Sequence, residues 1–129
     1  MSGVNIERVS VFVYGTLMRG EYNHGLLAGD RFLGEAATTP EFTLVNLGAY
    51  PALIDDGTTS VKGEVYEVEA MTLAALDRLE GHPIYYRRRM ITLADGRRVL
   101  AYLMPPEKMA GRPVIEHGDW RLHRKELGK

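Results

Sequence analysis

The sequence predicts an α+β fold with a curled or barrel-like sheet. Short β-branched and aromatic runs recur at hairpin spacing along most of the chain. Asp95-Gly96 separates two alternating runs, a strong hairpin signal. One central segment, ending at Glu80-Gly81, has helical periodicity and a matching stop signal. Many strands with one good helix indicate a curled sheet.

The first strand, about Arg8 to Tyr14, leads into a turn bracketed by Gly15 and Gly20. Asn23 to Ala28 forms a short helix. Arg31 to Thr39 is a second strand, ended by Pro40, and Phe42 to Leu47 is a third. Gly48-Ala49-Tyr50-Pro51 is a turn, Ala52-Leu53-Ile54 a short strand, and Asp55-Asp56-Gly57 a further turn. Val61 to Val68 is a strand in which Gly63 marks a bulge or a close backbone approach. The helix runs from about Ala70 to Leu79, with Gly81 as its C-cap and Pro83 preventing continuation. Tyr85 to Leu93 and Arg98 to Met104 form the hairpin, and Gly118-Asp119-Trp120 opens a short C-terminal helix.

The chain's 129 residues suit one domain, spanning 1–129, with a real core. The formal net charge of −1 gives no global attraction for nucleic acid or acidic membranes. There is no cysteine, which excludes a thiol nucleophile, thiolate metal sites and disulfides and fits a cytoplasmic setting. Met1-Ser2-Gly3-Val4-Asn5 lacks the pattern of a signal peptide, and no apolar run approaches membrane-spanning length.

Several chemistries drop out. The four histidines, His24, His82, His117 and His123, share no i, i+4 spacing and no acidic cluster, so no metal is expected. The serines, Ser2, Ser10 and Ser60, form no nucleophile elbow. Gly15 to Gly20 imitates a phosphate loop, but Glu21 and Tyr22 occupy the Lys and Ser/Thr positions. Arg87-Arg88-Arg89 divides between the two faces of a strand, with Tyr86 and Arg88 sharing one of them, and makes no single basic patch.

Two features remain. Gly15 lets the backbone bend sharply after a β-run and present successive N–H groups, with the Thr16 hydroxyl as a further donor. At 3.6 residues per turn, Glu80 lies about 20° around the helix axis from Leu73, with Leu76 about 60° away on the same side. Glu80 therefore falls within the apolar stripe, in the last turn, where burial and the helix dipole both raise a carboxyl pKa. The same spacing also suits a glutamate at a frayed helix end, its head in solvent beside Arg78. In the first case the chain holds a poised acid/base and a donor-rich turn.

With these residues identified, the chain resembles the gamma-glutamylcyclotransferase-like family, in particular its short bacterial members and the gamma-glutamylamine cyclotransferases. Val13-Tyr14-Gly15-Thr16-Leu17 is similar to the family's signature loop, and Leu76 to Pro83 with Tyr86 and Arg88 is similar to its catalytic-glutamate segment. Gly48 to Leu53, Val61 to Tyr66 and Gly118-Asp119-Trp120 resemble further family blocks in the same order. The resemblance implies a small mixed β-barrel-like sheet with a few helices packed outside. It also implies that Tyr14, Gly15, Thr16 and Leu17 hold a gamma-glutamyl group, that Glu80 is the general acid/base, and that Tyr86 lies near the site. It implies an intramolecular reaction: the substrate's alpha-amine attacks its gamma-carbonyl, releasing an amine and 5-oxoproline without a metal or cofactor. The expected partner is a small gamma-glutamyl molecule, with no nucleic acid and no membrane. A non-catalytic gamma-glutamyl-binding or regulatory domain with the same pocket is the competing expectation, and His82 sits in a loop expected to influence specificity.

Overall fold

Seven strands form one mixed sheet in the computed structural model, which describes residues 8–128; the stretch read above for a leader lies outside them. They are β1 (Arg8–Val13), β2 (Arg31–Ala37), β3 (Phe42–Asn46), β4 (Pro51–Thr59), β5 (Lys62–Glu69), β6 (Arg87–Thr92) and β7 (Arg98–Met104). Helix α1 (Ala70–Glu80) follows β5 directly, and α2 (Trp120–Leu127) closes the chain. Two single-turn 3₁₀ helices cover His24–Leu27 and Pro106–Met109.

The order β2-β5-β1-β7-β4-β3, with β6 also on β7, contains a fork. β6 pairs with β7 from Arg87 to Thr92 and occupies one edge of that strand. β1 and β4 must share the other edge. Both run parallel to β7, with Val11 opposite Leu100 in one case and Leu53 opposite Leu103 in the other. A crevice opens where β1 gives way to β4. Val11, Phe12 and Val13 are successively buried because β1 is central and covered on both faces.

The sheet curls without closing. An isolated bridge, Thr38 to Leu93, and a bond from the Ala94 N–H to the Ala37 carbonyl (2.8 Å) draw the end of β2 to the β6–β7 turn. The barrel-like expectation holds in this open form. α1 is anchored by fully buried Leu76, a burial worth about 1.5–3 kcal/mol. In α2, Asp119 caps the Leu122 N–H at 3.1 Å, and Trp120 is buried.

Some boundaries differ from the expected ones. Asp55-Asp56-Gly57 does not end a strand; β4 continues through it to Thr59. Phe42 pairs with Thr59 while Thr43 pairs with Ile54, so residues 55–58 bulge outward against one step of β3. The Thr43 hydroxyl donates to the Asp56 carbonyl at 2.7 Å, which holds the bulge to β3. β6 starts at Arg87 rather than Tyr85, because the Tyr85 N–H bonds to the Gly81 carbonyl and the Tyr86 N–H to that of Glu80. The region from Asn23 to Ala28 is a single 3₁₀ turn.

Of the two explanations for Gly63, close approach applies: a Cβ there would lie 2.3 Å from the Val13 carbonyl oxygen and 2.6 Å from the Phe12 ring. The register shift sits in β2 instead, between Phe32 and Gly34. Gly63→Ala should therefore lose about 2–3 kcal/mol in urea unfolding, whereas Gly25→Ala, with open space around it, should stay near the parent. Equal midpoints for the two variants would contradict the packing described.

Candidate functional site

The chain leaves β1 at Val13 and enters the turn expected from Gly15. The Met18 N–H bonds to the Gly15 carbonyl at 3.1 Å and the Asn23 N–H to the Thr16 carbonyl at 2.8 Å. Asn23 Nδ2 donates to the Thr16 hydroxyl at 3.0 Å, and His24 Nδ1 lies 3.0 Å from the Leu17 carbonyl oxygen. These bonds occupy the carbonyls. Among the described residues, the N–H groups of Gly15, Thr16 and Leu17 have no protein acceptor, which gives a run of donors suited to an anion. Gly15 does not have positive φ. It is required because a Cβ would sit 2.7 Å from Cγ and Cδ of Pro51.

Opposite the turn stands the end of α1. Gly81 takes the left-handed conformation (φ 67°), and the His82 N–H reaches back to the Asp77 carbonyl at 2.9 Å, closing the helix at Glu80. The peptide between His82 and Pro83 is cis. Glu80 is the C-terminal residue of the helix, half-buried rather than frayed into solvent. Burial pushes its carboxyl up to about 7.

Between turn and helix end lies an open cavity of about 200 Å³. All six residues nominated from sequence line it: Tyr14, Gly15, Thr16, Leu17, Glu80 and Tyr86. The Tyr14 hydroxyl is already engaged, donating to the Tyr102 carbonyl at 2.6 Å and accepting from the Leu53 N–H at 3.1 Å. Burial, then the Glu80 charge, holds its pKa well above the usual phenol range. The Tyr86 hydroxyl donates to the Pro51 carbonyl at 2.7 Å, and burial keeps it protonated too. Both side chains build the walls and leave the turn's backbone to meet a ligand.

Three further tyrosines reach the cavity without having been nominated: Tyr50, Tyr85 and Tyr102. The hydroxyls of Tyr50 and Tyr85 lie 2.7 Å apart in a mutual hydrogen bond. Tyr102 donates to Asp77 Oδ1 at 2.6 Å, and Arg88 pairs with Asp77 Oδ2. Arg88 is thus partly buried against Asp77 of the helix, while Arg87 and Arg89 are exposed. The available signal was compositional, since five of the seven tyrosines converge here. Among the described residues no three His, Cys, Asp or Glu side chains gather as a metal site, and no helix is long and apolar enough to cross a membrane.

The decisive comparison is with known families: the pattern described as gamma-glutamyl cyclotransferase, AIG2-like, matches residues 11–122. The chain belongs to that family. A Vibrio cholerae relative, provisionally named a gamma-glutamylcyclotransferase, is 44% identical over 110 residues, covering 85% of this chain and 93% of its own. The crystal structure of c4763, a protein of uropathogenic Escherichia coli, aligns with a TM-score of 0.80 at 30% identity, covering 92% of this chain and 97% of that one. An AIG2-like protein from Mus musculus aligns at 0.75 with 28% identity, covering 88% of each. This gamma-glutamyl cyclotransferase, AIG2-like chain carries the Tyr14–Leu17 turn and the Glu80 helix end on the two sides of one cavity.

The raised Glu80 pKa carries a stability signature. An ordinary glutamate titrates at 4.5, so the stability from keeping this carboxyl neutral is fully present below 4.5 and is lost as pH rises through about 7. Glu80→Gln cannot ionise. It should match the parent near pH 4 and exceed it at pH 8 by up to about 3 kcal/mol in urea unfolding. A difference that does not change with pH would contradict the burial of Glu80.

Proposed function

We propose that the protein is a cyclotransferase that releases an amine from a gamma-glutamyl amine or peptide and forms 5-oxoproline. One observation carries this reading: a carboxyl poised near pH 7 shares a cavity with three unpaired backbone donors. A group titrating near the working pH suits both acceptance and return of a proton.

In the proposed reaction the N–H groups of Gly15, Thr16 and Leu17 hold the substrate's alpha-carboxylate or the oxyanion that develops at the gamma-carbonyl. Ionised Glu80 removes a proton from the alpha-ammonium. The freed amine attacks the gamma-carbonyl carbon, forming the ring C–N bond. Protonated Glu80 then delivers the proton to the original amide nitrogen as its bond to the carbonyl breaks. A second proton lost by the attacking nitrogen leaves through the same carboxyl or water, so the products are 5-oxoproline and a protonated amine. No step draws on a metal or cofactor. The cavity's main contribution is to fold the substrate so that amine and carbonyl meet.

The test is 5-oxoproline release from a panel of gamma-glutamyl amines and dipeptides. Glu80→Gln should lower turnover by about 10²-fold or more while retaining substrate binding. Gly15→Val should lose binding, because its side chain drives Pro51 away from the turn. Binding without release from any panel member would favour the non-catalytic gamma-glutamyl-binding domain. Near-normal turnover in Glu80→Gln would remove Glu80 from the mechanism.

A further inference from the structure

Beyond the Tyr50–Tyr85 hydroxyl pair the surface continues into a second groove of about 330 Å³. The two tyrosines line both the Glu80 cavity and this groove and so form the wall they share. Leu47, Met104 and Met109 supply the groove's apolar surface. Its charge comes from Lys108 and Arg112 and is entirely positive, since no acidic side chain lines it.

Those cations have few partners. Arg112 is exposed and makes no ion pair among the described residues. Lys108 Nζ meets the Ile84 carbonyl at 3.3 Å and forms no ion pair there either. Tyr85 lies within electrostatic reach of both ends: its hydrogen bond with Tyr50 and the Glu80 charge raise its pKa, and Arg112 opposes them. The order across the site is carboxyl, tyrosine pair, guanidinium.

The cyclotransferase reading gives this order a direction. With the glutamyl portion held at the turn and the departing nitrogen toward Glu80, the substituent on that nitrogen would extend along the tyrosine pair, whose far side lines the groove. We propose that the groove is the leaving-amine subsite and that Arg112, assisted by Lys108, selects leaving amines bearing a carboxylate, namely amino acids or short peptides. Neutral and cationic amines gain nothing from Arg112, and cationic ones are repelled. The methionines, flexible and polarizable, accept apolar side chains of varied shape.

A matched pair isolates the carboxylate: gamma-glutamyl-leucine and gamma-glutamyl-isopentylamine, which differ only by that group on the leaving amine. Calorimetry on the Glu80→Gln protein reads binding without turnover, and 5-oxoproline release by the parent reads the reaction. The leucine compound should bind about tenfold more tightly, as expected for one charge-assisted contact. Adding Arg112→Gln should bring the two affinities within about twofold while leaving the isopentylamine compound unchanged. Equal affinities, or a preference that survives both Arg112→Gln and Lys108→Gln, would overturn the subsite. Release from both compounds at equal kcat/KM would also overturn it while leaving the reaction standing. Discrimination in binding without release from either compound would overturn the reaction and support the subsite.

Discussion

The Tyr14 hydroxyl fastens the fork in the sheet. β7 offers one free edge to two strands, so ladder pairing is interrupted where β1 ends and β4 begins. At that point the Leu53 N–H and the Tyr102 carbonyl need partners away from water, and one phenol serves both, accepting from the first and donating to the second. Leaving either buried group unpaired costs on the order of 1–3 kcal/mol. The phenol must stay protonated to donate, and burial ensures that it does. The same fork that needs fastening opens the cavity beside it.

The turn that follows Tyr14 is held from two sides. On one, Gly15 rests against Pro51, whose carbonyl accepts from Tyr86, a residue returned toward the helix end by its own N–H bond to Glu80. On the other, Glu64, with no exposed surface, accepts from the Arg19 N–H and side chain, the Tyr66 hydroxyl and Arg121 of α2. Burial alone would raise its pKa; these donors outweigh that and hold it below the usual range. The two carboxylates thus have opposite environments. Glu64 is surrounded by donors and stays ionised as a structural clamp, whereas Glu80 is buried without that compensation and remains able to exchange a proton.

Much of this was legible in local sequence. The spacing of Glu80 to Leu73 and Leu76 allowed two placements, on the apolar side of the helix or frayed into solvent, and its partial burial in the fold decides for the first. The helix end was legible from Gly81, because helix geometry and C-caps are short-range properties. The donor turn was legible from one glycine after a β-run, although the reason for the glycine, the Pro51 ring, comes from 36 residues away. What stayed hidden depends on tertiary placement. The fork arises from competition for β7, so nothing near Tyr14 announces its two backbone partners. The bulge at residues 55–58 has the composition of a chain-reversing turn and lies within one strand only because its flanks, Ile54 and Thr59, pair with Thr43 and Phe42 of β3. The convergence of Tyr50, Tyr85 and Tyr102 joins a turn, a loop and a strand that are distant in the chain.

The central claim is that Glu80 titrates near neutrality while facing the Gly15–Leu17 turn. It is tested most directly by ¹³C NMR titration of protein labelled at the glutamate carboxyl carbon, with Glu80→Gln assigning the resonance. The Glu80 signal should titrate with a midpoint of about 7. Addition of a gamma-glutamyl amine should perturb it together with the amide resonances of Gly15, Thr16 and Leu17. A midpoint near the ordinary 4.5, with no coupling to those amides, would contradict the site.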